Sequence, residues 1–559
     1  MSDLLAILLR FGQRSSLALA IFAGILSGLC GTAILALINR LMNLDDPRRG
    51  PHWLLWGFLG FCLLIPLMRV VSTYLFTDLS ARAALNLRLD LSGKILAAPL
   101  RRLEEVGAQA LLMALHRDIG ILSDTVTSIP GLAINAAVIT GCLVYLGWLS
   151  RPLLLIVVCL LALGTASYQL PIKLARRREG RVYQEHRRLY KHFEGLTSGI
   201  KELKMHATRQ ANFLAGLRST AEGLRKAHLR ARLALVSVNS WASVLSYLSI
   251  GLLLFLSPAL SIHAGREART GFALVLLFMS GPIEALLNLV PDLARASVAA
   301  REIGKLGISL AQRGPEPLPA APPSAPSIPL SWELAGVTHT YRREHEDDNF
   351  LLGPISLRIE PGEITFIAGG NGSGKTTLAK LMAGLYAPES GEIRWNGETV
   401  TDESRERYRQ SFSVVFSDFF LFSSLLGIAD GPESAARAQE LLAELELEKK
   451  VRLEAGALST TELSQGQRKR LALLTAFLEA RPVYMFDEWA ADQDPHFKEI
   501  FYRHILPGLR AQGRTVIVIS HDDRYYGTGD RVVKLENGSI ASDLRRAPVA
   551  EVAAGAVGT

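Results

Sequence analysis

Eight consecutive residues, Gly369-Gly370-Asn371-Gly372-Ser373-Gly374-Lys375-Thr376, satisfy the pattern G-x-x-x-x-G-K-[ST] at every fixed position. The chemistry such a loop performs is capture of a nucleoside triphosphate. Its glycines let successive backbone N–H groups close around phosphate oxygens. Lys375 then reaches the β- and γ-phosphates, the Thr376 hydroxyl holds Mg²⁺, and Thr377 continues the phosphate-facing end of a helix. Two more reactive pairs lie downstream. Asp487-Glu488 closes the apolar run Val483-Tyr484-Met485-Phe486, and Ser520-His521 closes Thr515-Val516-Ile517-Val518-Ile519. Asp487 suits the metal side of a nucleotide site. Glu488 suits a base for the attacking water, and His521 a sensor of the γ-phosphate.

These groups need a scaffold that delivers them to one edge. Ile364 to Ala368 reads as a buried strand entering the loop, and Thr377 to Met382 as the helix leaving it. Short apolar strands alternating with helical patterns predict an α/β domain, in which ligands bind beyond the strand C-termini.

The rest of the chain has another character. Of 559 residues, 49% are apolar and 20% charged, with a mean hydropathy of +0.22. Six segments near 15–38, 53–77, 127–149, 152–171, 233–258 and 271–292 are long and apolar enough to span a bilayer. The connecting segments 78–126 and 171–232 hold six and sixteen Lys/Arg, against Arg40, Arg48, Arg49, Arg151, Arg266 and Arg269 in the other three loops. That bias predicts cytoplasmic long segments and cytoplasmic termini. It also explains the net charge of +8 by anionic lipid, with no nucleic-acid partner. The first apolar run exceeds the length of a cleavable signal and no A-x-A site follows it, so it is expected to remain as a span. Cys30, Cys62, Cys142 and Cys159 fall inside spans without metal-ligand spacing and read as small packing residues.

Segments 78–126 and 171–232 lack Pro-Gly clusters and read as continuous helix extending beyond the bilayer. Within the spans, Glu284, Asn288 and Asp292 recur at i, i+4, i+8 just after an expected kink at Gly281-Pro282, and Asn239, Ser243 and Ser246 share a face of the fifth span. Polar residues there are candidates for a substrate cavity, with small-residue helix packing the alternative for the serine stripe. The expected domains are a transmembrane region 1–305, a Pro/Ala-rich tether 306–330, a nucleotide-binding domain 331–545 and a disordered tail 546–559.

Leu463-Ser464-Gln465-Gly466-Gln467-Arg468-Lys469-Arg470 resembles the L-S-x-G-Q signature of the ABC ATPases. With the loop and the Asp487-Glu488 strand, the chain is identified as a member of that family. The resemblance implies a fold of six transmembrane helices with long cytoplasmic extensions, ending in coupling helices, followed by an α/β P-loop domain of ABC type. It implies that Tyr341, 28 residues before Gly369, stacks on adenine. Glu488 becomes the catalytic glutamate, His521 the switch histidine, and Asp494 the D-loop aspartate. Ser464, Gly466 and Gln467 would face ATP bound to a second copy, so a homodimer is implied. One departure stands out. Ser417, in Val415-Phe416-Ser417-Asp418-Phe419-Phe420-Leu421-Phe422, occupies the place of the family's Q-loop glutamine. Being shorter, Ser417 or Asp418 is expected to hold Mg²⁺ through water.

That substitution, one membrane half per chain and the run Gly199-Ile200-Lys201-Glu202-Leu203-Lys204 resemble the bacterial subgroup exporting cyclic peptides, lipopeptides and siderophore precursors, such as the syringomycin, pyoverdine and microcin exporters. The expected activity is ATP-driven export of a peptide-like amphiphile across the inner membrane. A lipid or lipid-linked-glycan flippase, a multidrug exporter, and an ATP-gated channel or sensor are the alternatives. The chain begins almost at its first span, so a leader-cleaving peptidase domain is not expected.

Overall fold

The computed structural model describes residues 14–43, 52–259, 266–311, 331–341, 350–426, 428, 432–454 and 456–546. Arg48, Arg49, most of the expected tether 306–330 and all but the first residue of the expected tail 546–559 lie outside them. The chain forms two compact units, Met1–Gly93 with Ala108–Ile308, and Lys94–Gly107 with Ser309–Thr559.

The first unit is helical: α1 Arg14–Met42, α2 His52–Leu96, then, past α3 Leu100–Val106, α4 Ile119–Leu149, α5 Arg151–Ser198, α6 Ile200–Met205, α7 Ala207–Ala259 and α8 Arg266–Ala311. Among the described residues, four stretches are long and apolar enough to cross a membrane: Ser15–Met42, His52–Leu96, Ala110–Leu149 and Glu267–Leu289. The spans expected near 152–171 and 233–258 fall within α5 and α7, part of whose side chains lie outside the described residues. These helices bury apolar residues such as Phe76, Leu146 and Phe272 and also polar Asn39, Ser72 and Ser80, while large apolar Leu63, Trp148 and Phe255 are exposed, as suits a lipid-facing surface. α1 and α4 approach closely at Gly28, where an added Cβ would sit 2.6 Å from the Ile134 carbonyl oxygen and 2.8 Å from Ala137 Cβ. Buried Asn39 donates to Tyr145 Oη at 3.0 Å and to the Glu267 carbonyl at 3.3 Å, tying α1, α4 and α8 together.

The two extensions are not continuous helices. Segment 78–126 is interrupted at Ala97–Pro99 and again at Gly107. Pro99 has no N–H to continue the ladder, and it biases Ala98 away from helix. Gly107 takes φ 81°, outside the helical region. Segment 171–232 breaks at Gly199 and at His206, which is extended (φ −138°, ψ 104°). Single residues, not clusters, make these breaks, and they create the short helices α3 and α6.

The second unit carries an antiparallel sheet of β1 Trp332–Tyr341, β2 Phe350–Ile359, β4 Ser390–Trp395 and β5 Glu398–Thr399, in the order β2-β1-β4-β5. A six-stranded sheet combines β3 Ile364–Gly369, β6 Phe412–Val415, β7 Val483–Asp487, β8 Thr515–Ile519, β9 Arg531–Glu536 and β10 Ser539–Arg545 in the order β10-β9-β3-β8-β7-β6. All neighbours in it are parallel except β9 and β10. β7 and β8 are buried at every position, as a sheet covered on both faces requires. Register sets Ile519 beside both Ile367 and Asp487, so the C-terminal strand ends are level. α3 belongs to this unit: Leu100 packs against its core, Arg101 pairs with Glu389 at 2.7 Å, and Glu104 accepts from Lys380 Nζ at 2.7 Å and from the Tyr386 hydroxyl.

Candidate nucleotide site

The phosphate loop joins β3 to helix α9, Lys375–Met382. Gly374, with φ 99°, leaves no room for a side chain: a Cβ would lie 2.7 Å from Leu352 Cδ1. At Gly369 a Cβ would lie 2.4 Å from the Leu535 carbonyl oxygen. Both positions require glycine because the loop packs tightly against β2 and the end of β9. Lys375 is 6% exposed, and its Nζ donates to the Gly369 and Gly370 carbonyls at 3.1 and 3.0 Å. Burial lowers its pKa from the usual ammonium value, opposed by the Glu488 and Asp487 carboxylates.

Asp487 is fully buried at the end of β7. Its Oδ2 accepts from Ser417 Oγ at 3.2 Å. Burial pushes its carboxyl above the usual carboxylate range, against the hydroxyls of Ser417 and Thr376, which favour the ionised form. Asp487 Oδ1 and Ser373 Oγ are buried without a hydrogen-bond partner. A carboxylate oxygen left open beside the Thr376 and Ser417 hydroxyls is the all-oxygen donor set a hard cation takes, so these residues fit Mg²⁺ bound with a phosphate. Asp418 is exposed next to Ser417.

Glu488 follows at φ 50°. Its Oε1 lies 2.9 Å from His521 Nε2 and 3.8 Å from Lys375 Nζ. Glu488 and His521 line a cavity of about 250 Å³ with Tyr502, Ser520 and Asp522. One edge of the sheet thus gathers Gly369 to Thr377, Ser417, Asp487, Glu488 and His521.

The signature residues form a second group. Ser464 caps helix α12, Gln465–Glu479, in a reciprocal box: the Gln467 N–H donates to Ser464 Oγ at 3.4 Å and the Ser464 N–H to Gln467 Oε1 at 3.3 Å. Gln493 Nε2 donates to the Gly466 carbonyl at 2.9 Å. Asp494 caps the next helix, α13 Pro495–Ile500, by accepting the Phe497 N–H at 3.0 Å. That bond, with Arg470 nearby, holds its carboxyl below the usual range. Arg470 joins the group, pairing with Asp494 at 2.5 Å and with Glu446 at 2.8 Å and donating to Gln493 Oε1 at 3.1 Å.

Tyr341 ends β1 opposite Phe350, and its side chain lies outside the described residues. Glu284 and Asn288 are exposed on α8, which runs unbroken through Gly281-Pro282. Asp292 is half-buried and ion-pairs with Arg295. Ser243 is half-buried on α7, and the Asn239 side chain lies outside the described residues. Sequence reasoning passed over Lys469, Arg470 and Gln493, which tie the signature helix to the segment after Glu488. Basic residues at 469 and 470 set against acidic ones at 492 and 494 were the available signal.

Comparison with known proteins gives this geometry a family. Residues 352–491 match the family described as ABC transporter, and residues 17–283 the ABC transporter transmembrane region. The chain is 36% identical to the ATP-binding protein SyrD of Pseudomonas syringae pv. syringae, over 94% of both chains. It is 25% identical to an ATP-dependent lipid A-core flippase of Thiobacillus denitrificans, covering 94% of this chain and 91% of that one. A bacterial Atm1-family ABC exporter with ATP bound has the same fold, with a TM-score of 0.76 over 94% of both chains at 17% identity. Membrane helices and a single nucleotide-binding domain on one polypeptide, matched along nearly its whole length, place this chain in the ABC transporter family as an exporter-type half-transporter that couples ATP hydrolysis to transport.

Proposed function

We propose that the protein exports a peptide-like amphiphile (a cyclic peptide, lipopeptide, lasso peptide or siderophore precursor) from the bacterial cytoplasm. The observation that carries this reading is the 36% identity to SyrD along 94% of both chains, against 25% to the lipid A-core flippase. The departure at Ser417 and the run Gly199 to Lys204 support the same subgroup.

Two identical chains would bind head to tail, Ser464, Gly466 and Gln467 of one meeting the phosphates held by Lys375 of the other. The N-terminus of α12 adds N–H groups and a dipole for that purpose. Asp494 would meet the same interface, and Tyr341 would stack on adenine. Thr376 and Asp487 would hold Mg²⁺ directly, with Ser417 and Asp418 acting through water. A Mg²⁺ ion held there would supply charge neutralisation to the transferring phosphate. Glu488 takes the proton of the attacking water, and His521 holds the Glu488 carboxylate in place. Closure on ATP and release after hydrolysis supply the two states of alternating access. Glu284, Asn288, Asp292, Asn239 and Ser243 would line the cargo path. The Lys/Arg bias supports an inner-membrane protein with both termini and the nucleotide domain in the cytoplasm.

Inside-out vesicles test the reading. ATP-dependent uptake of a labelled cyclic lipopeptide, abolished by Glu488→Gln, is expected. Movement of lipid alone would favour a flippase, the second reading, which the flippase relatives support. ATP turnover with no cargo moved in any such assay would overturn transport of either kind.

A further inference from the structure

Lys469 sits on α12, five residues after the cap Ser464, with its side chain only 4% exposed. Its ammonium donates to the Glu488 carbonyl oxygen at 2.8 Å and pairs with Asp492 Oδ2 at 2.7 Å. In return its own carbonyl accepts the Trp489 indole N–H at 2.7 Å. Trp489 is buried and stacks on Phe501 with centroids 4.4 Å apart. Two hydrogen bonds running in opposite directions therefore join one residue of the signature helix to the Glu488-Trp489 dipeptide, one at the Glu488 carbonyl and one at the Trp489 indole.

That peptide is in a conformation that needs support. Glu488 has φ 50° and ψ 32°, a left-handed backbone that non-glycine residues seldom adopt. Such a residue persists where its surroundings over-determine it. Here the Glu488 N–H donates to the Ile519 carbonyl at 3.0 Å, and Lys469 holds the carbonyl. With both ends pinned, the side chain is aimed at His521, 2.9 Å away. Asp492 supplies the counter-charge that a buried ammonium needs. The Glu488 carbonyl, which also accepts the Ala491 N–H at 3.3 Å, is thereby tied to the helix that carries the ammonium.

We propose that Lys469 is a positioning residue for Glu488, acting through the Glu488 carbonyl. The aim of the Glu488 carboxylate then depends on where the signature helix of the same chain stands. Because that helix meets the partner's nucleotide, Lys469 joins one ATP site to the other. The inference rests on the reading of Glu488 as the base for ATP hydrolysis.

The test is a double-mutant cycle in the full-length protein in nanodiscs, with Lys469→Met, Glu488→Gln and both together. Lys469→Met is expected to lower kcat by about 10-fold, with KM for ATP and affinity for a fluorescent ATP analogue unchanged within about 2-fold. In the Glu488→Gln background, read by single-turnover hydrolysis, it should remove less than a further factor of about 2. An equal loss in both backgrounds would overturn the proposal, because Lys469 would then act on the fold or the signature helix alone. A Glu488→Gln protein at parental speed would remove the assignment of Glu488, and this inference with it; that result is separately visible in the single mutant. Should Lys469→Met fail to fold, Asp492→Asn keeps the lysine and changes a half-exposed partner. The same cancellation in the Glu488→Gln background is expected of it, and full additivity would overturn the proposal.

Discussion

His521 Nε2 lies 2.9 Å from Glu488 Oε1, and the two residues follow adjacent parallel strands, β8 and β7. The contact holds the carboxylate toward the loop in which Lys375 sits, 3.8 Å away. Glu488→Gln should lower kcat by about 10²-fold or more, and His521→Ala by about 10-fold, with small changes in nucleotide affinity. Steady-state ATPase assays beside equilibrium nucleotide binding check this. A loss confined to KM would show that the pair binds ATP and takes no part in turnover.

The fully buried carboxyl of Asp487 is raised above its ordinary pKa by burial, with a smaller opposing effect of the Ser417 and Thr376 hydroxyls. An acid raised in this way ionises more readily in the unfolded chain. Ionised Asp487 therefore detracts from stability above its folded pKa and has no such effect below about pH 4. Asp487→Asn should raise the melting temperature of the nucleotide-free protein at pH 7 and leave it unchanged at pH 4, while weakening Mg²⁺-dependent ATP binding. Calorimetry across that range checks it, and a destabilised variant at pH 7 would contradict it.

Ser417 and Asp418 stand where a longer side chain would reach the metal. Replacing both by alanine should shift the Mg²⁺ dependence of ATP hydrolysis to higher concentration. Identical Mg²⁺ titrations would reject a role for either at the metal.

Glu104 on α3 accepts from Lys380 and Tyr386, and Arg101 pairs with Glu389. These pairs are partly exposed, so each contributes about 0.2–1 kcal/mol at most. Glu104→Ala combined with Arg101→Ala should leave nucleotide affinity and melting nearly unchanged and lower the cargo moved per ATP. Unaltered stoichiometry in proteoliposomes would show that α3 does not transmit movement.

Glu284 is exposed on α8 of the isolated chain. Glu284→Gln should alter the stimulation of ATPase activity by cargo and leave nucleotide affinity alone. Superimposable stimulation curves would remove Glu284 from the cargo path.

The phosphate loop was legible because its chemistry is contiguous: eight neighbouring residues carry the backbone geometry, the ammonium and the hydroxyl. Strand-end residues such as Asp487 and His521 were legible because an apolar run of β-formers fixes its own direction and end. The docking of Glu104 on Lys380 was not, since it joins ordinary residue types 276 positions apart. Nor were the breaks at Pro99 and Gly199, where single residues acted without the clustering that marks a turn. Of the Lys469 network, only the pairing with acidic Asp492 left a trace in the charge pattern. Its other partner is a backbone carbonyl, and side-chain patterns carry no record of where a carbonyl points.

In the proposed dimer each ATP is shared between two chains, and mixed dimers test that sharing. One dimer pairs a Lys375→Ala chain with a Ser464→Arg chain, purified through two different tags. The other pairs a Lys375→Ala/Ser464→Arg chain with an unaltered one. Sharing leaves one intact site in the first dimer and none in the second, so single-turnover ATP hydrolysis should survive only in the first. Hydrolysis surviving only in the second would place a complete site within one chain and contradict the account.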